Sequence, residues 1–168
     1  MSAKIINGVS LSYEVYGNGS ETKFFAHGLL WNRHIFDSQI DELKDRCRCI
    51  AFDFRGQGQS AVTDSGYDMD TLAEDVFELI RSFKCTSCHF VGLSMGGIVG
   101  MRLAIKHPDL IKSLVLIGTS ANLEPGENIG RYKRLNFIAR WFGLKPVASQ
   151  VMSIMFGHKF CAMQIKVN

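Results

Sequence analysis

Ser94 has the surroundings best suited to chemistry. It lies in Gly92-Leu93-Ser94-Met95-Gly96, with the apolar residues Phe90 and Val91 leading in and a helical pattern following at once. Strand, sharp turn and helix in that order present a serine hydroxyl at the tip of a strained turn. Gly92 and Gly96 flank it because side chains there would collide as strand and helix pack closely. A serine hydroxyl still needs a base to become a good nucleophile. By itself the five-residue pattern is weak, and the alternative is a glycine-rich turn with an incidental serine.

Two further stretches have residue types that could support such chemistry. His27-Gly28-Leu29 ends one apolar run, and Asp53-Phe54-Arg55-Gly56-Gln57-Gly58-Gln59-Ser60 ends another. A lone histidine beside a glycine reads as structural, shaping its loop. Asp53 and Arg55 read as a turn-organising ion pair. The five cysteines are Cys47, Cys49, Cys85, Cys88 and Cys161. Cys85-Thr86-Ser87-Cys88 has redox or zinc spacing, but zinc needs more ligands than the adjacent His89 adds. A thioredoxin-type pair opens a helix, whereas this one enters a strand. These thiols therefore read as buried or half-buried, with no metal and no cofactor expected. Gly56-x-Gly58 lacks the third glycine and the helix that a dinucleotide site requires.

The elements that must position these residues follow from periodicity. Residues 4–16 read as a hairpin about Asn7-Gly8, with Val9, Leu11, Tyr13 and Val15 alternating with polar neighbours. Strands follow at 23–26, at 47–54, in the apolar run leading into Ser94, and at 111–117. Helical patterns fall at 34–45, 69–83, with Asp68 or Asp70 as N-cap, and 95–106, ended by Pro108. A hairpin and then strands alternating with helices predict an α/β three-layer sandwich with a mostly parallel sheet. Sites in such sheets lie at the carboxyl ends of strands. His27-Gly28, Asp53, Ser94 and Thr119 all fall at such ends.

The character changes after about residue 120. An amphipathic helix is predicted over 127–142, with Ile129, Tyr132, Leu135, Ile138, Ala139 and Phe142 on one face. Arg131, Lys133, Arg134 and Arg140 lie mostly elsewhere, and packing on a neighbouring rim explains the pattern more cheaply than a membrane surface. Another helix is expected from Pro146 to about 156. The predicted division is 1–120 for the core and 121–168 for a partial helical cap and tail.

Of the 168 residues 46% are hydrophobic and 21% charged, an ordinary globular composition. A net charge of +3 is too small to argue for nucleic acid. No apolar run reaches 18 residues, so no membrane helix is expected. Met1-Ser2-Ala3-Lys4 opens no signal peptide, and an odd cysteine count without one favours a cytoplasmic location.

With these motifs in this order, the chain resembles the α/β-hydrolase fold family. It is most similar to the small intracellular members with a helical cap, such as enol-lactonases and carboxylesterases. The resemblance implies that Ser94 is the nucleophile and that the backbone N–H groups of Leu29 and Met95 form the oxyanion hole. It implies an ester, lactone or related carbonyl as the small-molecule substrate. A serine at the elbow argues against dehalogenases and epoxide hydrolases, which use aspartate there.

The resemblance also implies an acid and then a histidine after Ser94, carried by two further core strands. The sequence stops at Asn168 without them, so an incomplete core and a weak or inactive chain are expected. Glu124, as a displaced acid, and His158 are poor substitutes, and His107 falls on the wrong side of the sheet. The last strand would then expose an apolar edge open to self-association. A non-catalytic binding protein on the same fold is the alternative, as is cofactor-free haloperoxidase or C–C hydrolase chemistry.

Overall fold

Strand β1 (Ser2–Ile6) and strand β2 (Val9–Tyr16) pair antiparallel across the Asn7-Gly8 turn, Ile6 opposite Val9. Asn7 Nδ2 also donates to Asp75 Oδ1 at 3.0 Å, tying the turn to a later helix. This is a computed structural model, and it describes residues 2–122, 126–143, 145–147 and 150.

Four more strands complete one sheet: β3 (Thr22–Ala26), β4 (Arg48–Phe52), β5 (Cys88–Leu93) and β6 (Ile111–Ile117). Their order is β1-β2-β4-β3-β5-β6. β2 meets β4 antiparallel, while β4, β3, β5 and β6 run parallel. The expected mostly parallel sheet is therefore present. β4 stops at Phe52, two residues short of the expected strand, although the Asp53 N–H still donates to the Ser12 carbonyl of β2 at 2.9 Å.

Alternation along the strands builds two apolar layers. Phe24, Ile50, Phe52 and Phe90 face one way, toward helix α2 (Met69–Ser82) and helix α3 (Met95–Lys106). Phe25, Cys49 and Ala51 face the other way, with Phe36 and with Ile40 of helix α1 (Asp37–Leu43). In α2 the stripe Leu72, Val76, Leu79 and Ile80 is buried. Each such side chain contributes about 1.5–3 kcal/mol relative to exposure. Asp68 is the N-cap, accepting from the Thr71 N–H at 2.9 Å. Asp70 instead pairs with Arg102 and Lys106 of α3.

The expected helix at 34–45 is split. Asn32 caps a 3₁₀ turn over Arg33–Phe36, and α1 starts only at Asp37. Arg33 sits in that tight turn because its N–H and its guanidinium both bind Asp53. At the far edge of the sheet β6 has Val115, Leu116 and Ile117 41–47% exposed, which is the apolar edge expected from the sequence.

Residues 122–168 form a second unit. Its helix α4 spans Gly126–Phe142. Leu135 is buried and Tyr132 and Ile138 are half-buried, but Ile129 and Phe142 are exposed. The predicted stripe is thus buried only at its centre. Arg131, Lys133, Arg134 and Arg140 are exposed. A 3₁₀ turn covers Lys145–Val147 where a longer helix was expected to begin. Glu124, His158 and Cys161 lie outside the described residues. Among the described residues no helix is long and apolar enough to cross a membrane.

Candidate active site

The junction of β5 and α3 forces the backbone into an unusual conformation at Ser94. Its φ is +50° and its ψ −113°, a region that side chains other than glycine avoid at a cost of about 1–3 kcal/mol. Two close approaches explain why the strain persists. A Cβ on Gly92 would lie 2.5 Å from the Gly96 carbonyl oxygen, and one on Gly96 would lie 2.2 Å from that of Ala26. Both positions need glycine for the helix to start directly behind the strand. The turn is pinned by the Ser94 N–H donating to the Ile117 carbonyl at 2.9 Å. The Gly97 and Ile98 N–H groups in turn donate to the Ser94 carbonyl at 2.9 and 3.2 Å.

Ser94 is exposed at the end of the strand, and Met95 behind it is buried. Met95 is the first residue of α3, so its N–H has no carbonyl a turn earlier to bind. It lies at the positive end of the helix dipole.

The loop after β3 comes up against the same point. A Cβ on Gly28 would sit 3.3 Å from Ser94 Cβ. Leu30 has φ +64°, and its N–H donates to Gln57 Oε1 at 2.8 Å. The Trp31 N–H donates back to the Gly28 carbonyl at 3.3 Å. Leu29, between them, is 57% exposed. The three sequence-predicted residues thus fall on the loop after β3 (Leu29) and at the β5–α3 junction (Ser94 and Met95), both at the sheet's carboxyl rim.

His27 is fully buried beneath this loop. Its Nε2 accepts from the Phe54 N–H at 3.2 Å, so the ring proton is on Nδ1, which donates to the Gly28 carbonyl at 2.7 Å. Burial holds its pKa below the ordinary 6.5. The 3.9 Å approach of Nε2 to Asp53 is accordingly no ion pair, because that nitrogen is occupied as an acceptor. The neutral ring is a strut joining the loops after β3 and β4.

Asp53 and Arg55 do not pair with each other, contrary to the sequence expectation. The strand ends at Phe52, so its alternation no longer puts residues 53 and 55 on one side. The Asp53 carboxylate binds the buried Arg33 guanidinium and accepts from the Arg33 and Gln59 N–H groups at 2.8 and 2.9 Å. Arg55 turns the other way to α2, where Nε and Nη2 bind the two Asp75 oxygens at 2.6 and 2.7 Å. Ser60 closes the loop by donating to the Asp53 carbonyl at 2.7 Å and accepting from the Ser12 N–H at 2.9 Å. The Asp53–Ser60 motif is scaffolding for the rim.

Sequence reasoning missed two residues. Arg33 is 1% exposed and also binds Glu14 at 3.1 Å, yet a lone arginine at a helix start reads as surface. Gln57, which holds the loop beside Leu29, stands inside a recognised motif but at a variable position of it, so nothing marked it out.

Among the described residues no hydrogen bond reaches the Ser94 hydroxyl. His107 ends α3, about 18 Å along the helix from the elbow, and stacks on Phe77 with ring centroids 3.7 Å apart. Thr119 Oγ1, beside Gly97, is buried without a partner among the described residues. Cys88 is fully buried, which pushes its thiol up to about 12. Among the described residues no group of three candidate donors could hold a metal ion.

The family model for the alpha/beta hydrolase fold matches residues 24–154. The chain is 30% identical over 149 residues to 3-oxoadipate enol-lactonase 2 of Acinetobacter baylyi, covering 88% of this chain and 55% of that protein. It is 34% identical over 119 residues to the 2-(acetamidomethylene)succinate hydrolase of Mesorhizobium japonicum, covering 71% and 42%. The solved enol-lactonase of Burkholderia xenovorans superposes with a TM-score of 0.89 at 26% identity, covering 99% of this chain and 64% of that one. The chain spans about half the length of the curated relatives it matches. With a family match over most of its length and the strand–elbow–helix geometry in place, this chain belongs to the alpha/beta hydrolase fold family.

Proposed function

We propose that this chain carries the nucleophile and the oxyanion donors of a serine hydrolase acting on an ester, lactone or related carbonyl. The supporting observation is Ser94, exposed at positive φ between β5 and α3, with the Gly28 loop against it. Ser94 Oγ attacks the carbonyl carbon, and the oxygen that becomes negative accepts from the Leu29 and Met95 N–H groups. Each donor so aimed contributes about 10²–10³ in rate. The alcohol leaves, and water then releases the acyl group from Ser94. The base that takes the Ser94 proton comes from outside the described residues. Without such a base a serine keeps only the residual rate that binding and oxyanion donors give.

The test is a fluorophosphonate probe on the 168-residue chain, read by peptide mapping. Slow labelling at Ser94, lost in Ser94→Ala, is expected. Labelling that spares Ser94 would remove it as the nucleophile. Labelling as fast as in a complete serine hydrolase would show that a base is already in place.

A second reading is association of two copies through β6. The exposed Val115, Leu116 and Ile117 favour it, since an unpaired apolar edge strand templates pairing. Light scattering should show a dimer that Leu116→Lys dissociates; a monomer at all concentrations would remove this reading.

A further inference from the structure

The amino ends of the parallel strands, opposite Ser94, hold a second serine in catalytic company. His89 on β5 and Ser113 on β6 are register partners, and Glu21 immediately precedes β3. His89 Nδ1 lies 2.7 Å from Ser113 Oγ, and His89 Nε2 lies 3.0 Å from Glu21 Oε2. Lys112 Nζ binds both Glu21 oxygens, at 3.2 and 2.9 Å. Ser113 and Glu21 are exposed and His89 is half-buried, so solutes reach the group.

The hydrogen bonds fix the roles. Lys112, with His89, holds the Glu21 carboxyl below its ordinary range, so it stays ionised and accepts. Nε2 of His89 therefore carries the ring proton, and the Nδ1 lone pair faces the Ser113 hydroxyl. Nucleophile, base and orienting carboxylate stand within reach of one another. We propose that Ser113 is a second nucleophile, acylated through His89 and Glu21 by activated, unhindered esters and thioesters.

The expected chemistry is limited by what the site lacks. A positioned base contributes about 10²–10⁴. Ser113 lies inside β6, where no turn or helix N-terminus makes backbone N–H groups converge on it, so the further factor of about 10²–10³ from an oxyanion hole is not expected. Only acyl donors with good leaving groups then react. Ser113 Oγ forms a bond to the carbonyl carbon, its proton passes to His89 Nδ1, the bond to the leaving oxygen or sulfur breaks, and that group takes the proton. The same lack of donors slows hydrolysis of acyl-Ser113, so the product persists as a modified serine.

The experiment uses the Ser94→Ala chain, which removes the rim nucleophile from the readout. It is treated with p-nitrophenyl acetate, and acetyl occupancy is followed by peptide mapping. Ser113 should acylate about 10²-fold faster than the exposed Ser38 and Ser65. His89→Gln should bring it down to their rate, and Glu21→Gln should slow it about tenfold. Thermal melts identify any variant that fails to fold, and the remaining one then decides. Acylation of Ser113 no faster than Ser38, acetyl on Lys112 alone, or a folded His89→Gln chain that reacts unchanged would overturn the proposal.

Discussion

At the carboxyl ends of the strands Ser94 has a left-handed φ, glycines on either side, and backbone N–H groups nearby, but no base among the described residues. At the amino ends Ser113 sits within β6 with a histidine and a carboxylate in line, but without a turn or helix N-terminus to aim backbone N–H groups at it. The two ends hold complementary halves of a nucleophilic site. Side-chain register alone assembles the second half, because parallel neighbours share a face. The first half requires the backbone itself to be bent and held. The rim accordingly holds Leu30 and Ser94 at positive φ and, beneath them, the buried pair of Asp53 and Arg33.

The largest expected difference concerns the cations. Arg33→Met leaves the fully buried Asp53 without its counter-ion, which should destabilise the chain by about 3–5 kcal/mol. Lys112→Met removes the cation beside solvent-exposed Glu21 and should leave the urea midpoint unchanged. Equal midpoints for the two variants would mean that the rim is held no more tightly than the surface.

Glycine substitution should have opposite signs at the two serines. At Ser94 it relieves positive φ, so Ser94→Gly should be more stable than Ser94→Ala by about 1 kcal/mol. Ser113 lies within β6 and not at positive φ, so glycine there lowers stability by up to about 1 kcal/mol relative to alanine. Chemical denaturation of the four variants checks both signs. A Ser94→Gly chain less stable than Ser94→Ala would show that the elbow is not strained in solution.

The sequence made the sheet legible because burial on two faces writes itself as Phe24–Phe25 and Ile50–Ala51 runs bounded by turn residues. The elbow was legible because strain leaves glycines behind. Partners across the fold were not legible. Asp53 next to Arg55 in the chain suggested a local pair, yet the strand end sends them to Arg33 and Asp75, each 20 residues away. Ser113 carried no signal at all, since its neighbours His89 and Glu21 are joined only by strand register. The α4 stripe was over-read: periodicity named six residues for one face, but Ile129 and Phe142 are exposed.

The smallest expected effect is a change of slope with pH. Buried, neutral His27 resists protonation, so its folded pKa lies below the 6.5 of the unfolded chain. Below pH 6.5 the unfolded state binds a proton that the folded state refuses, and stability falls until the lowered folded pKa is passed. Above 6.5 both states are neutral and His27 contributes no slope. His27→Gln should weaken the chain at every pH, because the Phe54 N–H loses its ring acceptor, a buried hydrogen bond whose loss costs about 1–3 kcal/mol. The further loss between pH 7.5 and 5.5 should nonetheless be shallower in His27→Gln than in the parent. An unchanged slope would mean that the strut between the rim loops takes up its proton as readily as an exposed histidine, and the rim would then be open to water where the structure has it closed.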